Sequence, residues 1–175
     1  MGARAARAHR RPGGRVAVRG RRRPPRLLRR PRLSGVPVDP AVVGRALDTV
    51  TVTIEPGKLR ELARAFGEAP DAWGAVAPPT ALVLADHLRA DGIIDAPLAI
   101  GMDVARLLHG EASWDLVRPV RAGDVLTGTT VVEALDTREG RRGGTMTRAT
   151  FATTFTDPAG AVVAVQRHVF VETGA

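Results

Sequence analysis

Few side chains in this sequence can do covalent or acid–base chemistry. The chain has no cysteine and no tyrosine, and it has four histidines and 18 acidic residues. Without cysteine, a disulfide scaffold, a thiol nucleophile and a thiolate metal site are excluded. Any reaction must therefore rest on carboxylates, imidazoles, hydroxyl groups or backbone dipoles.

His109 and Glu111 form the most suggestive pair, because they lie two residues apart in a segment with strand character. Alternate residues of a strand point to the same face, so this spacing predicts an imidazole beside a carboxylate. The pair could act as acid and base or line a substrate tunnel, or it could be a structural hydrogen bond at a sheet edge or dimer seam. Asp71, in a loop, is the third catalytic candidate. We expect no metal site, since the pair lacks a third spaced ligand.

The two other histidines of the globular part are expected to be structural. His87 lies in an apolar helical segment and is predicted to be a core or interface residue. His168 alternates with valines in the last strand and is predicted at the surface.

The elements that must position these residues can be predicted from apolar periodicity. Val50, Val52 and Ile54 alternate with threonines, which is typical of a half-buried strand. A short amphipathic helix should begin at Pro56, with Leu59, Leu62, Ala63 and Phe66 on one face. A second helix should begin at Pro78 and Pro79 and run to Ala90; it is apolar on most sides, so we expect it to be buried.

The second half of the sequence has the pattern of consecutive strands. The predicted strands are 107–117, 125–134, 145–156 and 162–171, and the segment 140–144 is predicted to be a hairpin loop. One strand, a buried helix and four further strands predict an α+β fold, in which an antiparallel sheet of about five strands wraps around one helix.

Charge divides the chain at residue 33. Residues 1–33 contain 13 arginines and no acidic residue, whereas the net charge of the whole chain is +8, so residues 34–175 carry a net charge of −5. We interpret 1–33 as a disordered tail, and favour translated upstream sequence over a transit peptide or a nucleic-acid arm. The tail has no aromatic side chain for base stacking, so nucleic-acid binding is not expected. Residues 34–175 are long enough for one domain.

Three motifs carry a family resemblance. They are Val76-Ala-Pro-Pro-Thr80, Leu107-Leu-His-Gly-Glu111 and Arg118-Pro-Val-Arg-Ala-Gly-Asp124. In this order they resemble the MaoC-like dehydratase amino-terminal domain, over about residues 36–172. That family includes fungal fatty-acid-synthase-type dehydratase units and the non-catalytic subunits of mycobacterial 3-hydroxyacyl-thioester dehydratases. The resemblance implies a hot-dog fold, with units that join their sheets edge to edge.

The catalytic members of that family resemble Gly-Asp-x-Asn-Pro-x-His-x-Asp just before the buried helix, where Asp and His hold a water and add it to an enoyl thioester. At this place the chain has Gly67-Glu-Ala-Pro-Asp71-Ala-Trp73, and no histidine follows. None of the four histidines has an acidic residue five positions before it. The resemblance therefore implies the substrate-shaping half of a hydratase, whose partner chain supplies the Asp and the His.

The resemblance also places the thioester carbonyl at the amino end of the buried helix, where unpaired N–H groups and the helix dipole favour negative charge. Pro79 lies there but cannot donate, so Thr80 and Ala81 are the expected donors. Trp114 could pack against substrate or in the core. Arg118 could contact a phosphopantetheine phosphate or form a salt-bridged turn with Asp124.

The implied substrate is an acyl-CoA or acyl-carrier-protein thioester, without a cofactor. We expect a cytoplasmic homodimer, or a heterodimer with a catalytic hydratase subunit, and no membrane partner. Three alternatives stay open: a self-sufficient (R)-enoyl-CoA hydratase that uses His109 and a carboxylate, a hot-dog thioesterase, and a non-catalytic acyl-thioester binding module.

Overall fold

The computed structural model describes residues 38–139 and 144–174. The Arg-rich segment 1–33 and most of the predicted hairpin loop at 140–144 lie outside the described residues. The strands are β1 (Ala46–Thr53), β2 (Leu107–Leu116), β3 (Val125–Glu139), β4 (Thr145–Thr156) and β5 (Val162–Glu172). The α-helices are α1 (Pro56–Ala65) and α2 (Asp95–Ala99), and 3₁₀ helices span Pro40–Val42, Pro79–Leu88, Gly92–Ile94 and Val104–Arg106.

The five strands form one antiparallel sheet in the order β1-β3-β4-β5-β2. The predicted α+β architecture is therefore confirmed, and β1 and β2 are its two edges. Threonine and phenylalanine dominate β4, and such residues suit a central strand because they pack well on a pleated surface.

Two apolar clusters lie on the face of the sheet that the 3₁₀ helix Pro79–Leu88 covers, which we call the central helix. The first cluster surrounds the amino half of that helix and includes Leu82, Phe155 and Ala164. The second contains Phe151 and Phe170. The space between the two clusters is polar, and it holds the candidate site.

The central helix is shorter and tighter than predicted. Its buried residues are Ala81, Leu82, Ala85 and Asp86. His87 is exposed in this chain, so the prediction that it lies in the core is wrong, and the alternative that it lies in an interface stays a prediction. The helix ends at Leu88 because Arg89 has an extended backbone (φ −80°, ψ 156°), from which its side chain turns back beneath the helix.

Helix α1 buries Leu59 and Ala63, as its periodicity predicts. Phe66, predicted on the same face, is 62% exposed. The helix ends at Ala65, so Phe66 no longer follows helical spacing and instead lies 5.8 Å from the ring of Trp73. Among the described residues, no helix has the length and apolar character needed to cross a membrane.

Gly128 gives a direct test of the side-chain packing between β3 and β4. A Cβ atom at Gly128 would lie 2.7 Å from Phe155 Cε1 and 3.0 Å from Thr153 Cγ2. Because Phe155 is fully buried, Gly128→Ala should destabilise the fold by about 1–3 kcal/mol through overpacking. Urea denaturation measures the change in the free energy of unfolding.

The matched control is Gly57→Ala in α1, where an added Cβ meets no atom within 4 Å. Alanine has the better helix propensity, so this variant should be neutral or slightly more stable. Equal stability of the Gly128→Ala and Gly57→Ala variants would contradict the close packing of Phe155 over β3.

Candidate functional site

A buried ion pair lies under the carboxyl end of the central helix. The side chains of Arg89 and Asp86 are each 6% exposed, and they hydrogen-bond each other. Arg89 also donates to Asp48 Oδ2 of β1 at 2.5 Å and to Thr130 Oγ1 of β3 at 2.7 Å. These contacts distribute the donors of a buried guanidinium over three acceptors, which a buried charge needs to remain stable.

A chain of imidazoles extends from this ion pair toward β2. Gln166, which is fully buried, donates to Asp86 Oδ2 at 3.0 Å and hydrogen-bonds His168. His168 Nε2 lies 3.3 Å from Asp86 Oδ2, and its Nδ1 lies 3.1 Å from His109 Nε2. Hydrogen bonds therefore connect the helix carboxylate to a histidine on an edge strand.

The prediction that His168 lies at the surface is wrong, because its side chain is only 7% exposed. Its face of β5, which also carries Gln166 and Phe170, turns toward the central helix. The valines that alternate with His168 lie on the other face.

His109 is held by contacts within the protein. Its ring stacks on Phe170 with centroids 4.9 Å apart, and it hydrogen-bonds the backbone of Glu111 and the ring of His168. One side of the ring is open to solvent, but burial of the other side lowers the pKa of His109 below its ordinary value of 6.5, and His168 lowers it further. His109 is therefore a neutral imidazole near pH 7.

Glu111 does not share a face with His109, so this prediction is wrong. His109 pairs with Phe170 and Glu111 with Val169, and the register shifts between them. Gly110 is the extra residue of a β-bulge, which reverses the alternation of faces.

The two candidate carboxylates are both exposed. Glu111 Oε2 lies 3.7 Å from the guanidinium of Arg148 on the outer face of the sheet. Asp71 is exposed in the loop before the central helix. The structure thus brings neither carboxylate to His109; the acid that His109 reaches, through His168, is Asp86.

At the amino end of the central helix, one of the two expected donors is already used. The Ala81 N–H donates to the Pro78 carbonyl at 2.9 Å, and Ala81 is fully buried. Pro79 and Thr80 are exposed. Within the described chain the Thr80 N–H has no backbone acceptor, so Thr80 is the one of the two expected donors that is not used.

The amino end of the central helix is separated from the two imidazoles. Asp86, the helix residue that contacts His168, follows Thr80 by six residues, which is roughly 12 Å along a 3₁₀ helix. The imidazoles and the Thr80 N–H therefore lie near opposite ends of this helix.

The last two candidates have structural partners. Trp114 packs against the first apolar cluster, and its buried Nε1 has no hydrogen-bond partner among the described residues. Arg118 Nη1 donates to Asp124 Oδ2 at 2.8 Å, and the Arg121 N–H donates to the same oxygen. Burial alone would raise the pKa of Asp124, but these hydrogen bonds hold it below its usual value. Arg118 thus forms the salt-bridged turn.

The polar network surrounds a cavity of about 10 Å³, which is room for about one water molecule. Asp86, Arg89, Thr130, Thr153 and His168 supply its polar walls. In the described ranges, no three histidine or acidic side chains are grouped as a metal site would require.

The sequence analysis did not predict this hydrogen-bonded network, although one feature of the sequence indicated part of it. Asp86 and Arg89 are charged residues three apart in a segment that is otherwise apolar and predicted to be buried. Buried charges are almost always paired, so a mutual ion pair could have been expected. The contribution of Gln166 and His168 could not, because it depends on which face of β5 turns inward.

Comparison with known proteins agrees with this fold. A UPF0336 protein of Streptomyces coelicolor is 33% identical over 116 residues, which cover 59% of this chain and 77% of the relative. A UPF0336 protein of Clavibacter michiganensis is 35% identical over 118 residues, 60% of this chain and 78% of the relative.

Solved structures of the hot-dog dehydratase class superpose on the chain. A MaoC-like dehydratase is 27% identical with a TM-score of 0.57, over 77% of this chain and 43% of that one. The HadBC (3R-hydroxyacyl-ACP dehydratase) complex of Mycobacterium tuberculosis is 17% identical with a TM-score of 0.55, over 73% of this chain and 96% of that one. The ChsH1-ChsH2 complex of the same organism is 11% identical with a TM-score of 0.59, over 74% of this chain and 84% of that one. The last two likenesses show the fold alone.

Residues 41–166 match the family described as the FAS1-like dehydratase domain region. This match covers most of the chain, and the antiparallel sheet around a central helix is the architecture of the superposed dehydratases. The chain therefore belongs to the FAS1-like dehydratase domain family and has the hot-dog fold.

Proposed function

We propose that this chain is the substrate-shaping half of a heteromeric enoyl-thioester hydratase, which in reverse is a 3-hydroxyacyl-thioester dehydratase. It binds an acyl-CoA or acyl-carrier-protein thioester in the cytoplasm. A partner chain supplies the Asp and the His that activate water.

The observation that carries this proposal is the orientation of the acid–base groups. His109 is hydrogen-bonded to His168 and to the backbone of Glu111, and Asp86 is paired with Arg89 beneath the helix. Hydration needs a base that deprotonates water at C3 and an acid that protonates C2 of the same substrate. Groups that hydrogen-bond one another near the carboxyl end of the helix, roughly 12 Å along a 3₁₀ helix from Thr80, do not meet this requirement.

The part left for this chain is electrostatic. When water adds to an enoyl thioester, negative charge develops on the carbonyl oxygen. The Thr80 N–H and the amino end of the central helix would stabilise this charge, since an oriented donor is most effective where charge develops. Thr80 is exposed, so a thioester can reach it.

Two features support a partner chain. HadBC and ChsH1-ChsH2, which share the fold, are complexes of two different chains. In this chain β2 is an edge strand with two exposed apolar side chains, Leu108 (57% exposed) and Leu116 (40%). An unpaired apolar edge is a template for pairing with another strand.

Reconstitution tests the division of labour. The purified chain alone should not hydrate trans-2-enoyl-CoA, followed as loss of enoyl absorbance. Turnover should appear when a hydratase chain with the Asp-x-Asn-Pro-x-His motif, encoded beside this one, is co-purified with it. Steady turnover by the isolated chain would show a self-sufficient hydratase, and release of free thiol would show a thioesterase.

Thr80 tests the carbonyl site. Thr80→Pro removes the N–H at a position in the first helical turn, where proline is tolerated, and should lower kcat of the complex by roughly 10²-fold. Thr80→Ala keeps the N–H and should retain nearly full activity. Thermal denaturation of both variants checks that the fold is intact; equal kcat for two folded variants would exclude this donor.

His109 tests whether the imidazoles are structural. If His109 is structural, His109→Gln should leave kcat of the complex within about threefold, far from the roughly 10²-fold or greater loss expected for a general base. Loss of turnover at a folded His109→Gln variant would return this residue to the catalytic machinery.

The pH dependence of stability checks the environment of His109 separately. Its pKa is lower in the folded than in the unfolded chain, so its contribution to stability is present above about pH 6.5 and decreases as the pH falls below that value. Wild type should therefore lose more stability than His109→Gln between pH 8 and pH 5 in urea denaturation. Parallel curves would contradict the lowered pKa.

A further inference from the structure

Two buried polar atoms on neighbouring residues have no hydrogen-bond partner among the described residues. They are the indole Nε1 of Trp114 and the amide Oε1 of Gln166. Trp114 of β2 lies directly opposite Gln166 of β5 in the antiparallel register. Residues in such a pair point to the same face, with Cβ atoms about 5 Å apart. One atom is a donor and the other an acceptor, so each would satisfy the other if the Gln166 amide turned toward β2.

The nitrogen end of the Gln166 amide is held at Asp86 and His168. A carboxylate oxygen only accepts, so the amide group that lies 3.0 Å from Asp86 Oδ2 is the nitrogen, which carries two hydrogens. The same nitrogen hydrogen-bonds His168 Nε2. One hydrogen therefore goes to Asp86 and the other to His168, whose Nε2 accepts it.

This hydrogen bond fixes where the neutral imidazoles carry their protons. A neutral imidazole has one donor and one acceptor nitrogen, so His168 carries its proton on Nδ1. His168 Nδ1 lies 3.1 Å from His109 Nε2, which must then accept. His109 in turn carries its proton on Nδ1, the ring nitrogen left for its hydrogen bond to the backbone of Glu111. In this state His168 Nε2 and Asp86 Oδ2, which are 3.3 Å apart, are both acceptors, an arrangement that one further proton would relieve.

One added proton would reverse these hydrogen bonds. His109 is exposed, so the proton can reach the pair of imidazoles from solvent. His109 Nε2 would then donate to His168 Nδ1, and His168 Nε2 would donate to Asp86 Oδ2. The Gln166 nitrogen would now face a second donor at His168, and its own bond there would be lost. The Gln166 amide is then free to turn its oxygen to Trp114.

The charges around the two imidazoles favour uptake of a single proton. Asp86 and Asp48 are the two carboxylates of the ion-pair cluster and Arg89 is its one guanidinium, which gives the cluster a net charge of −1. One imidazolium would neutralise this charge. Thr130 of β3 and Thr153 of β4, which also line the cavity at His168, are uncharged. The carboxylates that β5 and β2 carry near the imidazoles are paired elsewhere, Glu172 with Arg106 and Glu111 with Arg148.

We propose that Gln166 is the moving part of a pH-sensitive switch in the core. At neutral pH its nitrogen bridges Asp86 and His168. When the two imidazoles take up one proton, His168 takes the place of Gln166 at Asp86, and the Gln166 oxygen accepts the indole N–H of Trp114. Burial and the neighbouring His168 lower the pKa of His109, so the switch operates below pH 6.5. It needs neither a substrate nor a partner chain, so it is independent of the function proposed above.

Nuclear magnetic resonance of the ¹⁵N-labelled full chain tests the neutral state. At pH 8, correlations of the ring nitrogens with the carbon-bound ring protons should show His109 and His168 both protonated on Nδ1. In Gln166→Met, whose side chain cannot donate, His168 should carry its proton on Nε2 and donate to Asp86, and His109 should also be protonated on Nε2. Wild-type His168 protonated on Nε2 at pH 8 would overturn the proposal.

The protonated state is tested at the indole of Trp114. Between pH 8 and pH 5 its N–H resonance should move downfield with the same midpoint as the imidazole resonances, because the N–H gains an acceptor. This shift should be absent in Gln166→Met, and the indole of Trp73, which lies beside Phe66, is an internal control that should not follow it. A Trp114 resonance that stays in place while the imidazoles titrate, or that shifts equally in folded Gln166→Met, would contradict the switch. So would imidazoles that take up no proton down to pH 5 in the folded chain.

Trp114→Phe is a second variant, which keeps an aromatic ring in the core and removes the indole N–H. Without this donor the protonated state lacks one hydrogen bond, so the midpoint of the imidazole titration should fall by about 0.5–1 pH unit. The matched control, Trp73→Phe, should leave the midpoint unchanged. Equal midpoints of wild type and Trp114→Phe would overturn the proposal even if Gln166→Met does not fold.

Discussion

The buried pair of Asp86 and Arg89 is the interaction on which the arrangement of the helix over the sheet depends. A charge beneath a helix is stable only when its hydrogen-bonding groups are satisfied, and removing one partner of such a pair costs about 3–5 kcal/mol. Arg89 meets this requirement by reaching β1 and β3, and Asp86 by accepting from Gln166 of β5. The pair thus fixes the end of the central helix against three strands, where the two apolar clusters alone would leave a gap.

The need to satisfy the hydrogen-bonding groups of Asp86 also determines where the side chains of His168 and His109 lie. His168 is drawn into the network because its strand faces Asp86, and His109 is in turn held by His168 and Phe170. An imidazole with both neighbours inside the protein is a good structural group and a poor base for a bound substrate. His109 and His168 therefore have structural partners, and the proposed carbonyl site lies at the other end of the helix.

The sheet could be predicted from the sequence because alternation and composition are local properties. Both ends of β4 follow from its run of threonines and phenylalanines, and the edges of the other strands differ by a few residues. The face on which His168 lies could not be predicted, since β5 is apolar on both faces, with Val169 on one and Phe170 on the other. Gly110 could have indicated the bulge in β2, because a glycine inside a strand often marks a bulge. The end of the central helix at Leu88 depends on Arg89 turning beneath it, which is a tertiary effect.

Separating the helix amino end from the acid–base groups has a consequence for how a hydratase of this family can be built. In the proposed function the amino end needs exposure, because the Thr80 N–H meets a substrate oxygen, whereas the Asp86 network needs burial to keep its charges paired. One short helix satisfies both demands only by placing them at opposite ends. In the proposed function, a base for C3 approaches Thr80 from outside this chain, because the loop before the helix offers only the exposed carboxylates of Glu68 and Asp71 without an imidazole. A second subunit can supply that imidazole without disturbing the buried pair, which is the physical reason that a division between a shaping chain and a catalytic chain suits this fold.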